Sequence, residues 1–233
     1  MSQKNIYIAS TAVLVITFFL IFGYFRGTGD FYNSPLFSIT ENESDLLLVG
    51  VPKLSSDAKP EFERRLQDIL NGIEANSFEG RDLEAAYYNA GLYYQNLGEY
   101  KLSYNSFLQA IEVEPKNRVT WVSLGETLQK MEAFESSERA FIKAIDINPG
   151  AYDNYLKLTK LYKQTEPENI EKIKQVYVGA LKILVNTLAV RKDYASWLFA
   201  NNMLDEAKEQ YTKLLTQDPA SKSIYQEKLN NMQ

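Results

Sequence analysis

Seven positions between Glu84 and Ala151 are filled twice, 34 residues apart: Tyr87, Gly91, Tyr94, Ser103, Phe107, Ala110 and Pro115 recur as Trp121, Gly125, Leu128, Ser137, Phe141, Ala144 and Pro149. Self-similarity at that period signals a stack of identical supersecondary units, none of which hides its apolar face without a neighbour. The repeated residues have physical work to do in such a unit. Gly91 and Gly125 permit close approach of two helices, against the small Ser103 and Ser137. Tyr87 and Trp121 begin an apolar stripe that Tyr94 and Leu128 continue, and Phe107 and Phe141 fill the space behind. Ala110 and Ala144 sit where the second helix meets the next unit, and Pro115 and Pro149 lack the N–H that would carry each helix further. Gly98 supplies the turn between helices; the second copy has Glu132 there and manages without glycine.

These residues resemble the tetratricopeptide repeat family over the 68 residues from Glu84 to Ala151. An unrelated helical bundle with coincidental spacing is the alternative, and two copies in register, with aromatic, small and proline positions all kept, argue against it. The resemblance implies an all-α fold, a right-handed α-solenoid of helix-turn-helix repeats. It also implies a peptide- or protein-binding scaffold, without saying which ligand is held.

The pattern extends beyond the two clear copies. Pro60, Glu61 and Glu63 mark a helix start, followed by the apolar series Phe62, Leu66, Ile69, Leu70 and Ile73. Residues 60–83 are thus an N-terminal cap or a degenerate repeat, before repeats at 84–117 and 118–151. In 152–187, Tyr155, Leu158 and Tyr162 keep register, but Thr159 stands in the glycine place. Tyr177 and Ala180 there arrive about two residues late, after a longer turn at Thr165–Asn169. Ile173, Val176, Leu181 and Leu184 complete that stripe. In 188–219, Ala195, Leu198, Ala207, Tyr211, Leu214 and Pro219 restore the spacing and Asn201–Asn202 makes the turn, but Arg191 replaces the first aromatic. Trp197 beside the stripe is expected to compensate by packing on the third repeat. Residues 220–233 read as a closing helix with Ile224, Tyr225, Lys228 and Leu229 in phase.

Ahead of this domain, Ile6–Phe25 is a run of 20 residues with no charge, enough at about 1.5 Å per residue to cross a hydrocarbon core of roughly 30 Å. Residues 1–25 therefore read as a tail and a single transmembrane helix. A cleaved signal peptide is the competing reading; the run is longer than a usual signal core, and Gly27-Thr28-Gly29 is the nearest thing to a cleavage site. Lys4 and the terminal amine precede the run and Arg26 follows it, which favours a cytoplasmic amino terminus and a C-terminal domain on the non-cytoplasmic side. Residues 26–59 are a connector rich in turn formers. Its apolar stretch Asp45–Val51 is expected to pack on the first helices of the domain, or in the sharper reading to lie in the groove in place of a ligand.

The chain contains no cysteine and no histidine, which removes thiolate nucleophiles, imidazole bases and the usual zinc ligands. No cofactor motif or metal-ligand spacing is present, and an enzyme is not expected. A formal net charge of −5 argues against nucleic acid, whose phosphates need a basic face. The resemblance places partners in a concave groove lined by the first helices. Its facing residues would be Tyr88, Leu92, Gln95 and Asn96; Val122, Glu126, Gln129 and Lys130; then Leu156, Lys160 and Lys163. Tyr88, Leu92, Val122 and Leu156 would anchor apolar groups, and Lys160 and Lys163 acidic ones. The family's carboxylate-clamp positions hold Tyr88, Leu92, Ser123, Asp153 and Lys157, of which only Lys157 could serve, so that subtype is not supported. The expected function is a membrane-anchored interaction scaffold, by analogy an accessory subunit of a secretion, pilus or envelope assembly. The alternative is a holdase-like chaperone near a translocon, and self-association of spans and solenoids stays open.

Overall fold

The computed structural model of the protein describes residues 58–232. The expected span at 6–25 and nearly all of the connector, including 45–51, lie outside the described residues. Within them no helix is long and apolar enough to cross a membrane.

Ten α-helices and no strand occur among the described residues. They are α1 Lys59–Glu74, α2 Gly80–Leu97, α3 Tyr100–Val113, α4 Arg118–Lys130, α5 Phe134–Ile147, α6 Tyr152–Thr165, α7 Ile170–Ile183, α8 Leu188–Ala200, α9 Leu204–Gln217 and α10 Lys222–Asn230. Each helix packs chiefly on its neighbours in sequence, the arrangement of a solenoid. The helices succeed one another as the pairs α2–α3, α4–α5, α6–α7 and α8–α9; the first pair begins at Gly80, four residues before Glu84. Helix α1 covers α2, setting Phe62 edge-on to Tyr93 at 5.4 Å, and keeps Glu61, Arg64, Arg65 and Asp68 in water.

What closes the first two pairs is a ring in a notch. A Cβ on Gly91 would stand 2.6 Å from the fully buried ring of Phe107, and one on Gly125 would stand 2.7 Å from that of Phe141. The glycines thus make room for phenylalanine rather than for serine; Ser137 instead donates to the Gly125 carbonyl at 2.8 Å, and Ser103 bonds Thr127. The third pair has Thr159 at the notch, and this pair meets least closely of the four. The aromatic that comes two residues late, Tyr177, leans onto the next repeat, stacked at 4.8 Å on Tyr194 and 5.9 Å from Trp197. Trp197 therefore packs on the third repeat as its position suggested.

Three of the four turns within pairs share one construction. Gly98, Glu132 and Asn202 adopt φ of +82°, +60° and +59°. The next amide then reaches back to the carbonyl of Tyr94, Leu128 or Leu198 at 2.8–2.9 Å, closing a Schellman motif. Glu132 holds the left-handed conformation that glycine adopts freely, at a cost of about 1 kcal/mol or more.

The junctions between repeats reuse one hydrogen bond. Trp121 Nε1 donates to the carbonyl of Pro115 at 2.9 Å, and the Tyr155 hydroxyl to that of Pro149 at 3.0 Å, in each case six residues back. Arg191, the departure from the aromatic pattern, donates through Nη2 to Val185 O, again six residues back, at 3.2 Å. The replacement keeps the donor and changes its carrier. Its other nitrogens reach Gln217 and Gln210 at 2.8 Å each. Burial pulls the guanidinium below its usual pKa, and among the described residues no carboxylate bonds it directly.

Later junctions add a lysine–tyrosine–carboxylate trio. Lys172 lies 4.1 Å over the Tyr162 ring while both reach Glu138, the hydroxyl at 2.6 Å and the ammonium at 3.5 Å. Lys163, Tyr177 and Asp193 repeat this between the third and fourth pairs. Lys192, Tyr225 and Asp218 repeat it at the closing helix, where Lys192 and Tyr225 hold the Asp218 carboxyl well below the usual carboxylate range. In that helix Tyr225 is buried but Ile224 is 56% exposed, contrary to the expected phase. Adjacent helical residues point about 100° apart, and the Asp218 bond turns Tyr225 inward, which leaves Ile224 outside the buried stripe.

Two outcomes follow for stability. Gly125→Ala should lower it by about 1–2 kcal/mol, overpacking against Phe141 outweighing the better helix propensity, whereas Gly179→Ala, with open space around its added methyl, should raise it by about 0.5–1 kcal/mol; urea midpoints measure both. Arg191→Met should cost about 2–4 kcal/mol by stranding buried Gln210, and a second change, Gln210→Leu, should recover at least about 1 kcal/mol.

Candidate functional site

The first helices α2, α4, α6 and α8 stand side by side, and polar side chains stitch them. Buried Glu84 on α2 accepts from Asn117 at 2.9 Å and from Thr120 at 3.0 Å. One repeat later the polarity is reversed: Arg118 on α4 donates to Asp153 at 2.7 Å and to Asn154 at 2.8 Å. Further along the same helices, Gln95 donates to Thr127 at 3.1 Å and Gln129 to Gln164 at 2.7 Å, and Lys157 pairs with Glu126.

Five of the eleven expected groove residues lie within the wall itself, packed or paired there away from open space. Tyr88 is half-buried with its ring 5.7 Å from Phe107, and its hydroxyl receives a long bond of 3.4 Å from Ser123. Leu92 is half-buried, with its carbonyl accepting from Asn96 at 2.7 Å. Val122 and Leu156 pack partly into the core. Lys163 is committed to Asp193 at 3.0 Å and lies 5.1 Å over Tyr177.

The other six, Gln95, Asn96, Glu126, Gln129, Lys130 and Lys160, come together around an open cleft of about 460 Å³ at the C-terminal ends of α2, α4 and α6. Three further residues line it: Tyr100, Glu132 and Gln164. Gln164 had a readable signal, since it follows Gln129 by 35 residues as Gln129 follows Gln95 by 34. Tyr100 and Glu132 belong to the turns and the start of a second helix, which a reading confined to first-helix faces passes over. Burial raises the Tyr100 phenol above its usual pKa, so it stays protonated at neutral pH. The cleft offers carboxamides that both donate and accept, and the exposed cations Lys130 and Lys160. Its chemistry is that of hydrogen bonding and ion pairing.

The tetratricopeptide repeat family model matches residues 84–117 and 120–150. A stretch of the human Superkiller complex protein 3 is 29% identical over 105 residues, covering 42% of this chain and 7% of that much longer protein. Among solved structures, the crystal structure of MamA is similar with a TM-score of 0.56 at 15% identity, covering 73% of this chain and 98% of MamA. A second MamA protein structure gives 0.55 at 16% identity, with 71% and 87% covered. At such identity the likeness is one of fold. The chain thus carries tetratricopeptide repeats, set in an all-helical solenoid.

Proposed function

We propose that this chain is a membrane-anchored interaction scaffold that holds a peptide or protein partner in the concave groove formed by its first helices, as an accessory subunit of a membrane or envelope assembly. Repeat solenoids of this kind generally mediate protein–protein interactions through such surfaces. The observation that carries the reading is the cleft spanning α2, α4 and α6. Three successive repeats contribute to it side chains that are exposed or half-exposed, while the wall beside it is closed by contacts between helices. Attachment to the membrane is supported by the uncharged run Ile6–Phe25, and the charges flanking it favour a helical domain on the non-cytoplasmic side.

Site-specific photocrosslinking in intact membranes tests this. A crosslinker at Asn96 or Lys160 should give one discrete adduct, and one at the exposed Val178 or Ile224 should give none. Equal labelling from all four positions would remove the cleft from consideration, and a broad smear from the first two would favour a holdase that takes many unfolded chains. Protease added to the non-cytoplasmic side of sealed membranes should degrade the helical domain; protection there would reverse the orientation.

A further inference from the structure

We infer that the cleft reads an extended, acidic segment of its partner, with Gln95, Gln129 and Gln164 bonding the segment's main chain and Lys130 and Lys160 its carboxylates. This rests on the first-helix wall being the partner surface. The glutamines are evenly spaced. They stand one to a repeat on three successive first helices, 34 and 35 residues apart. Packed helices lie about 8–10 Å apart, and a polyproline-II segment advances about 3.1 Å per residue with every third residue facing the same way. Such a segment laid across the helices offers each glutamine a peptide group in the same orientation. A carboxamide matches a peptide group donor to acceptor and acceptor to donor, whatever side chain the partner carries. The bonds already made leave capacity for this: Gln129 keeps its Oε1 acceptor, Gln164 its Nε2 donor and Gln95 its Oε1 acceptor.

The charges of the cleft point to the same occupant. Of the two acids in the cleft, Glu126 is neutralised by Lys157. Lys130 and Lys160 have no ion-pair partner among the described residues, so although the lining as a whole is neutral, two unpaired ammonium groups face one unpaired carboxylate, that of Glu132. The chain as a whole carries −5, so an acidic partner is repelled elsewhere and attracted here, which selects position as well as composition. Lys163, held by Asp193, takes no part. The volume, about 460 Å³, lies within the roughly 300–1,000 Å³ of ordinary ligand sites. Polar residues dominate its lining, which disfavours the apolar face of a helix as occupant.

The test is a selection. The full chain, purified in a mild detergent, is panned against a display library of short randomised peptides beside the variants Lys130→Glu/Lys160→Glu and Gln129→Ala/Gln164→Ala, whose helicity is first matched to the parent by circular dichroism. The parent should enrich Asp and Glu; the charge reversal should turn that preference to Lys and Arg. The glutamine variant should weaken the best peptide about tenfold while leaving its residue preference intact. Enrichment without an acidic bias, or an acidic bias that survives the charge reversal, overturns the lysine assignment and leaves the wall as partner surface. Unchanged affinity in the glutamine variant overturns the main-chain assignment. If the parent enriches nothing, both this inference and the groove reading fall together.

Discussion

A phenylalanine ring seated in the space a glycine leaves on the facing helix is the contact on which this array depends. Rings from Phe107 and Phe141 lie in the notches of Gly91 and Gly125, fully buried, at distances that admit no Cβ. Because interiors pack at crystal-like density, that nesting fixes both the separation and the register of two helices at once. Everything built on those pairs inherits the precision, including the alignment of glutamines one repeat apart. Where the notch is filled, at Thr159, the pair loosens and its aromatic residue turns to its neighbour, and stacking among Tyr177, Tyr194 and Trp197 takes over the work of nesting.

The junctions follow a different economy, in which the bond is kept and the residue is free to vary. Indole, phenol and guanidinium each satisfy a carbonyl six residues back, at Pro115, Pro149 and Val185. A carbonyl in the turn beyond a helix end has no ladder partner and needs a donor, and any side chain of suitable reach supplies one. This explains how Arg191 can occupy an aromatic site without breaking the stack. It brings a charge, which the amides of Gln210 and Gln217 solvate in place of water. The trios built on Lys172, Lys163 and Lys192 occur from the second junction onward, where the packing within the third pair is weakest.

The repeat positions of the fold were legible because they are set by volume and backbone geometry, which a 34-residue comparison of residue types exposes directly. Gly98 and Asn202 announce their turns, and Glu132, which carries no such mark, is found there only by its spacing. The direction of Ile224 was not legible, since the short 3₁₀ turn Pro219–Ser221 and the Asp218 bond set the phase of α10. The site was legible in part. The family resemblance, laid on the repeat register, names which side chains point along the wall, and six of those named do meet at the cleft. It does not say which of them are already spoken for. Lys163 and Tyr88 look as available in the sequence as Lys160 and Lys130, and only the pairing with Asp193 and the contact with Phe107 separate them.

The inverted polarity at successive seams has a bearing on how such a chain avoids mistaking one of its repeats for another. Near-copies stacked in a row can slip, the first docking on the third in place of the second. Glu84 meets Asn117 and Thr120 in the proper stack; one place further on it would meet Asn154 with Asp153 alongside, an acid facing an acid. Duplicating the second repeat would bring Arg118 opposite Val119 and Thr120, without the carboxylate it now pairs with. These two seams therefore act as keyed joints, each matched in polarity to its own neighbour although the repeats are nearly alike.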